Sequence, residues 1–447
     1  MHVEEAGLPA VRRIGNEVDR GSRPMNQDAQ TGRGASDTAS SDPLEELPAD
    51  LSSLDLADPQ TFLRHDQDEL WRRLRAEHPV FWNAPSGGRP GFWALTRYDD
   101  IMHVYRESST FISARGNVLA TLLHGGDSAT GKMLAVTDGS RHRELRKVFL
   151  KAFSPRTIST VAEKVQENTE SLIRSAVAEG SCDFAQDIAE KIPIRTICDL
   201  LGVPEPDQDE LLILTKKALS AEDDQITEFD SILARNEILV YFSSLLEEFR
   251  KNPREGVIGT FADAQASGTE LSDEEIVLNC YSLIIGGDET SRLSMISSIP
   301  ALVEHPAQWA ALSSGSIGSQ TATEEILRWT TPAMHFGRTT LKDTTVSGHA
   351  INQGDVVTLW NVSANRDEAV FASPDVLNLS RSPNRHLTFG YGPHFCLGAE
   401  LGRIEIRAML DALCRFAADI TLTGTPKRVR SNFLSGISSL PVQFTPR

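Results

Sequence analysis

The segment LSDEEIVLNCYSLIIGGDETSRLSMISSIPALVEH, residues 271–305, limits the possible folds more than any other stretch of the chain. Ser272 with Glu275 three residues on reads as a capping box, each side chain satisfying a backbone N–H of the other. Carried to Glu304, the helix it opens spans roughly 48 Å at ~1.5 Å per residue, enough to cross a whole molecule. Gly286 and Gly287 fall in its middle, where each glycine costs about 1 kcal/mol against alanine. Pro300 predicts a kink in the last turns.

Around this element the pattern stays mostly helical. TFLRHDQDELWRRLRAEHPV places Leu63, Leu70, Trp71 and Leu74 at helical spacing, and ARNEILVYFSSLLEEFRKNP is an amphipathic helix ended by Asn252-Pro253. PVFWN and GFWALTR read as short strands around PSGGRPG, and strand signals return in TTVSGHAINQGDVVTLW, with turns at Ser347-Gly348 and Gln353-Gly354. No repeat or linker interrupts residues 60–447. The expectation is one large domain over 46–447, mainly α with small β-sheets. Residues 1–45 form a polar Gly/Ser/Asp-rich tract that cannot bury enough surface to order itself, so a disordered tail is expected there. Met25 lies inside it as an alternative start.

A net charge of −18 and a pI near 5.1 argue against a nucleic-acid or anionic-membrane partner, which needs clustered Lys and Arg. No run reaches the ~18 apolar residues of a membrane span, and no secretory signal opens the chain. A cytoplasmic monomer is expected. The five cysteines are odd in number and contain no CxxC pair, so neither a disulfide framework nor a zinc ribbon fits. Any cysteine that does chemistry does it alone. Gly126 to Lys132 satisfies most of a P-loop, but Met133 stands where a magnesium-holding hydroxyl belongs, and a flexible loop is the better reading.

The stretch HLTFGYGPHFCLGAELGRIEIR, residues 386–407, is different in kind. Gly390, Gly392 and Gly398 are spaced wrongly for a dinucleotide turn. They bend the backbone around Cys396, and a helix begins at about Leu397. A sulfur near a helix N-terminus is favoured as thiolate by the dipole and the free N–H groups. A soft anionic ligand with no second Cys or His at metal spacing suggests haem iron rather than zinc. The plainer alternative is a buried cysteine in a turn.

Phe389-Gly390-Tyr391-Gly392-Pro393-His394-Phe395-Cys396-Leu397-Gly398-Ala399 resembles the haem-binding loop of the soluble bacterial cytochrome P450 monooxygenases, and further segments agree in order over roughly residues 60–445. The resemblance implies a single-domain fold with haem b between the long central helix and the Cys396 loop. It makes Cys396 the axial ligand, with Phe389 and Gly398 framing it. His142 and Arg146, one helical turn apart, are similar to the family's HxxxR. With Arg338 and His394 they would bind the haem propionates. Glu325 and Arg328 look like its ExxR, which with Arg381 would form a buried structural triad. SANRDE precedes that arginine, with Glu368 where proline is commoner. Gly286 to Ser291 resembles the central-helix signature, which makes Glu289 and Thr290 a proton-relaying acid–alcohol pair beside a local opening of the helix.

The activity implied is insertion of one oxygen atom from dioxygen into a C–H bond. Keeping both acid and alcohol separates such an enzyme from a haem-thiolate sensor, the non-enzymatic alternative. Electrons would come from NAD(P)H through a ferredoxin and its reductase, since no flavin or iron–sulfur motif lies in the chain. Residues 138–156 carry six Lys/Arg against two Asp/Glu, and Arg141, Arg143 and Lys147 are the expected docking residues. The resemblance puts the substrate pocket in the 115–125 loop, at Ile285 and Gly286, at Ala333, Met334 and His335, and at Leu434 to Ile437. RWTTPAMHFGRT and LWNVSANRDE are similar to a secondary-metabolism subgroup that oxidises amino-acid-derived substrates, some tethered to a carrier protein. Hydroxylation at the β-carbon of a carrier-bound amino acid is the narrower expectation. A free macrolide, terpenoid or other small molecule is the competitor.

Overall fold

The computed structural model describes residues 47–48, 50–63, 66–219 and 227–447. The expected tail and Met25 lie outside the described residues. From the N-terminal side the elements are α1 (Gln67–Glu77), β1 (Val80–Asn83), β2 (Phe92–Leu95), α2 (Tyr98–Arg106), β3 (Phe111–Ile112) and α3 (Leu119–Leu123). A run of helices follows: α4 (Gly139–Ala152), α5 (Pro155–Glu179), then after β4 (Ser181–Asp183) α6 (Lys191–Leu201), α7 (Gln208–Leu219), α8 (Glu228–Lys251) and α9 (Val257–Ala266). The long helix is α10 (Asp273–Glu304), followed by α11 (Pro306–Ser313) and α12 (Ser319–Thr330). Next come β5 (Phe336–Thr340), β6 (Thr344–Val346), β7 (His349–Ile351), β8 (Val356–Leu359), α13 (Asn361–Ala364) and α14 (Ala399–Phe416). The chain closes with β9 (Ala417–Leu422), β10 (Lys427–Arg428), β11 (Ile437–Ser439) and β12 (Pro441–Pro446).

The capping box forms as read. Glu275 N–H donates to Ser272 Oγ at 3.2 Å and Ser272 N–H to Glu275 Oε2 at 2.8 Å. The helix runs on through Pro300 to Glu304, and α6, α8, α12 and α14 pack against it. A helix covered on several sides needs apolar residues all round rather than one stripe. Ile276, Cys280, Ile284, Met295, Ile296, Ile299 and Leu302 supply them within the principal core.

One sheet has the order β1-β2-β8-β5-β3, antiparallel except where β2 runs beside β8. Its register sets Arg338 opposite Val357. A second sheet, β4-β12-β9, closes the helical side, and β6 with β7 forms the hairpin expected at Ser347-Gly348. Between the first sheet and α1 lies a separate core in which the rings of Phe62, Trp71 and Trp360 pack with centroids 4.9–6.2 Å apart.

Behind α12 the ExxR pair is fully buried. Arg328 donates two hydrogen bonds to the Glu325 carboxylate at 2.8 Å, and Arg381 Nε adds a third at 3.0 Å. Arg328 also donates to the carbonyls of Asn365 and Pro374. Glu368, the departure from the family pattern, pairs with the buried Arg75 of α1 at 3.1 Å.

Candidate active site

The Cys396 loop is shaped by two glycines with left-handed backbone. Gly390 has φ 66° and Gly392 φ 75°, and a Cβ on Gly392 would stand 2.8 Å from the Tyr105 carbonyl oxygen. Cys396 N–H closes the loop on the Phe389 carbonyl at 2.9 Å. α14 begins at Ala399, two residues later than the sequence suggested, with Gly398 as its N-cap. Cys396 opens onto an internal cavity of about 460 Å³. Burial pushes its thiol up, while Gly398 N–H, Arg146 and Arg403 pull it down, and burial prevails. The Arg403 guanidinium lies 4.7 Å over the Phe389 ring and is itself held by Glu324 at 2.7 Å.

At one end of the cavity stand two arginines that make no ion pair among the described residues, beside two histidines. Arg338 is buried, and among the described residues its only side-chain hydrogen bond goes to the neighbouring Gly337 carbonyl at 2.7 Å; burial lowers its pKa. Arg146 reaches the Phe395 carbonyl at 2.7 Å and makes no ion pair among the described residues. His142 Nε2 is buried with no hydrogen-bond partner, and burial, then His394 and Arg146, drive its pKa down to about 4. His394 is already engaged, its Nε2 3.0 Å from Asp138. Such a set leaves Arg338 a buried charge with no ion pair among the described residues and the His142 ring unpartnered, a costly arrangement. It fits a haem, whose two propionates would face His142, Arg146 and Arg338 while Cys396 meets the iron.

α10 borders the same cavity. A Cβ on Gly286 would have no atom within 4 Å, so this glycine keeps space free; one on Gly287 would meet Ile197 at 3.3 Å, so that one lets α6 approach. The expected local opening is absent: the helix is continuous, and Thr290 Oγ1 donates to the Gly286 carbonyl at 2.9 Å. Glu289 is buried and accepts from Nε and Nη2 of Arg292 one turn on. Asp288 points away toward α7, where Thr215 Oγ1 donates to it at 3.2 Å. Burial, then the charge of Glu289, pushes Asp288 up to about 8, so it is protonated at neutral pH and stands outside the expected relay.

Ile285, Ala333 and Leu434 line the cavity. Met334, His335 and Ile437 do not, contrary to expectation. Met334 lies in the core beside α1, and the His335 ring rests 4.5 Å from Trp360 and 5.5 Å from Phe433. Burial holds His335 neutral, with a pKa of about 3. Strand alternation accounts for His335: Phe336 and Arg338 share a face of β5 that looks into the cavity, whereas Met334 precedes the strand and Ile437 lies on β11. Phe336, Phe433, Tyr105, Glu405 and Asp127 also line it and were not singled out. The P-loop-like segment is a turn-rich loop, and its Lys132 pairs with Glu274 at 2.7 Å rather than waiting for a phosphate. Among the described residues, no cluster of three or more His, Cys, Asp or Glu offers a separate metal site. None of their helices is long and apolar enough to cross a membrane.

The Cytochrome P450 family model matches residues 320–444. Cytochrome P450 NovI of Streptomyces niveus is 46% identical over 89% of this chain and 98% of its own. The steroid C26-monooxygenase of Mycobacterium tuberculosis is 31% identical over 88% of this chain and 93% of its own. Among solved structures, P450 OxyD, involved in the biosynthesis of vancomycin-type antibiotics, superposes with a TM-score of 0.81 at 34% identity, covering 88% of this chain and all of that one. P450BioI, in complex with an acyl carrier protein ligated to hexadec-9Z-enoic acid, gives 0.75 at 25% identity, covering 85% and 98%.

Proposed function

The chain belongs to the cytochrome P450 family, and from that premise we propose that this monooxygenase hydroxylates the β-carbon of an amino acid held on a carrier protein. Its haem, bound through a cysteine thiolate, supplies activation of dioxygen with electrons from NAD(P)H delivered by redox partners. The observation that carries the narrower reading is the cavity: mainly apolar, bordered by Cys396, and extending along α10 to the 113–138 loop and the end of α7. Ile285, Ala333, Phe336, Phe433 and Leu434 suit a side chain of amino-acid size. The likeness to the carrier-bound BioI complex supports a tethered substrate, and that to OxyD a place in antibiotic biosynthesis.

In this reading Cys396 holds the cofactor, and His142, Arg146 and Arg338 fix its orientation. Gly286 keeps the space over it free. Thr290 carries a hydroxyl proton that it now gives to the Gly286 carbonyl. Glu289, which accepts from Nε and Nη2 of Arg292, relays protons once that contact opens. The likeness to the steroid monooxygenase favours a second reading, a free apolar terpenoid or macrolide.

A spin-state titration separates the two. Aminoacyl-loaded carrier protein should move the haem from low to high spin, and free amino acids should not. A response to free macrolides or terpenes alone would reject the tethered substrate. In the same assay Thr290→Ala should still bind but send its electrons to peroxide; unchanged coupling would remove Thr290 from the relay.

For the electron donor, the helix α4 needs one correction. Arg141 is engaged with Glu275, Glu144 and the Glu270 carbonyl, so it is a poor docking residue. Arg143, Lys147, Leu150 and Lys151 are exposed along α4 and form the proposed ferredoxin face. Neutralising Arg143 and Lys147 together should slow ferredoxin-supported reduction several-fold and flatten its salt dependence. No change in either would move the face elsewhere.

A further inference from the structure

Three carboxylates border the cavity, and they are not equivalent. Glu289 is held by Arg292. Glu405 of α14 is buried, which pushes it up to about 7 against the hydrogen bonds of Ser291 and Thr196. Asp127 is the third. It lies in the turn-rich loop after α3 and is half-buried. Its Oδ1 accepts from Ala129 N–H at 2.8 Å, which fixes the direction of the carboxylate. No hydrogen bond or ion pair to its other oxygen occurs among the described residues.

The surroundings of Asp127 suit a cation. It lies close enough to Tyr281 of α10 to add to the upward shift that burial gives that phenol. Arg235 of α8, the cation that also acts on Tyr281, donates its Nε to the Ala218 carbonyl at 3.1 Å. The cations that match haem propionates, by contrast, come from α4 and β5. The cavity is therefore bordered by a half-buried acid whose backbone hydrogen bond leaves one oxygen to receive a donor.

We propose that Asp127 binds the α-ammonium group of an aminoacyl substrate and so sets the preference for amino acids over other acyl chains. The inference rests on the carrier-bound reading above. A fatty or arylpropanoyl thioester has nothing to offer this carboxylate and leaves it unpaired where it borders an apolar cavity, which works against binding as well as failing to add to it. Asp127 is a specificity residue, and no proton transfer passes through it.

The test uses one peptidyl carrier protein loaded with tyrosyl or phenylalanyl thioesters, or with the matching 3-(4-hydroxyphenyl)propanoyl and 3-phenylpropanoyl thioesters, which lack only the amine. Aromatic probes suit the Phe336 and Phe433 rings, set edge to face at 6.1 Å. Affinity is read from the spin-state shift of the holoprotein. The native protein should favour the aminoacyl forms by roughly 10- to 100-fold, the range of a hydrogen bond to a charged group. Asp127→Asn keeps an Oδ1 for Ala129 N–H, and it should weaken only the aminoacyl forms until the preference is gone. Asp127→Glu, which keeps the charge, should restore part of it. Equal affinity for amine and des-amino forms in the native protein overturns the inference and leaves the carrier reading standing. So does an Asn variant that loses both forms alike. No response to any loaded carrier rejects the carrier reading, and the inference with it.

Discussion

Cys396→Ala should abolish the red-shifted Soret band that the reduced, carbon-monoxide-bound protein is expected to show. The loss should be complete, because no other cysteine can take over. Cys182, Cys198, Cys280 and Cys414 do not line the cavity. Burial drives all four thiols up, Cys182 to about 12 and Cys414 to about 11. Cys396 is also raised by burial, but it alone combines Gly398 N–H with the nearby guanidinium groups of Arg146 and Arg403. A coordinated metal would complete its deprotonation. Retention of the band in the variant would sink the assignment of Cys396.

Glu325→Gln should cost about 3–5 kcal/mol, the range for breaking a buried pair by removing one charged partner. Arg328 and Glu325 are both fully excluded from solvent, so the guanidinium left behind has no water to turn to. Arg381, Asn384 and the Asn378 N–H would lose their carboxylate as well. The pH dependence has a definite sign. Burial alone would raise Glu325, but the hydrogen bonds and charge of Arg328 outweigh it and hold the carboxyl below the ordinary glutamate value. A depressed folded-state pKa contributes stability above the unfolded value, near 4.5, and loses it as pH falls through the folded one. Denaturant midpoints should therefore differ most near neutrality and converge in acid. A variant as stable as the native protein at pH 7 would show that the pair is dispensable.

The parts of this fold that could be read from sequence are those whose causes are local. The capping box at Ser272 and Glu275, the Asn252 end of α8 and the glycine turns around Cys396 all depend on residues a few positions apart. Arg292 as the partner of Glu289 was legible too, at i and i+3 on one helix, yet only the signature residues drew notice. Met334 and His335 were misplaced because resemblance gives a segment and not a direction. The alternation of β5, with Arg338 on the cavity face, selects Phe336 and turns His335 away, while Met334 precedes the strand and is drawn into the core beside α1. Arg141 looked free because its partner Glu275 is 134 residues away. The same holds for Glu368, whose partner Arg75 lies 293 residues back in the chain. Asp127 sits in a loop with no period to read, where only three-dimensional proximity to α10 gives it meaning.

Arg338, Arg146 and the unpartnered His142 also bear on how the chain survives before it is an enzyme. A ligand that binds the native state and not the unfolded one stabilises by mass action, about 2.7 kcal/mol at a hundredfold excess over its Kd. Here the counter-charge for the buried Arg338 and the half-buried Arg146, and the partner for the His142 ring, arrive with the prosthetic group, so the native state is a shared property of polypeptide and haem supply. Thermal midpoints should climb with haem concentration, and under iron limitation the same sequence should yield fewer surviving molecules as proteases remove the unliganded chains. Abundance in the cell thereby becomes a readout of haem availability.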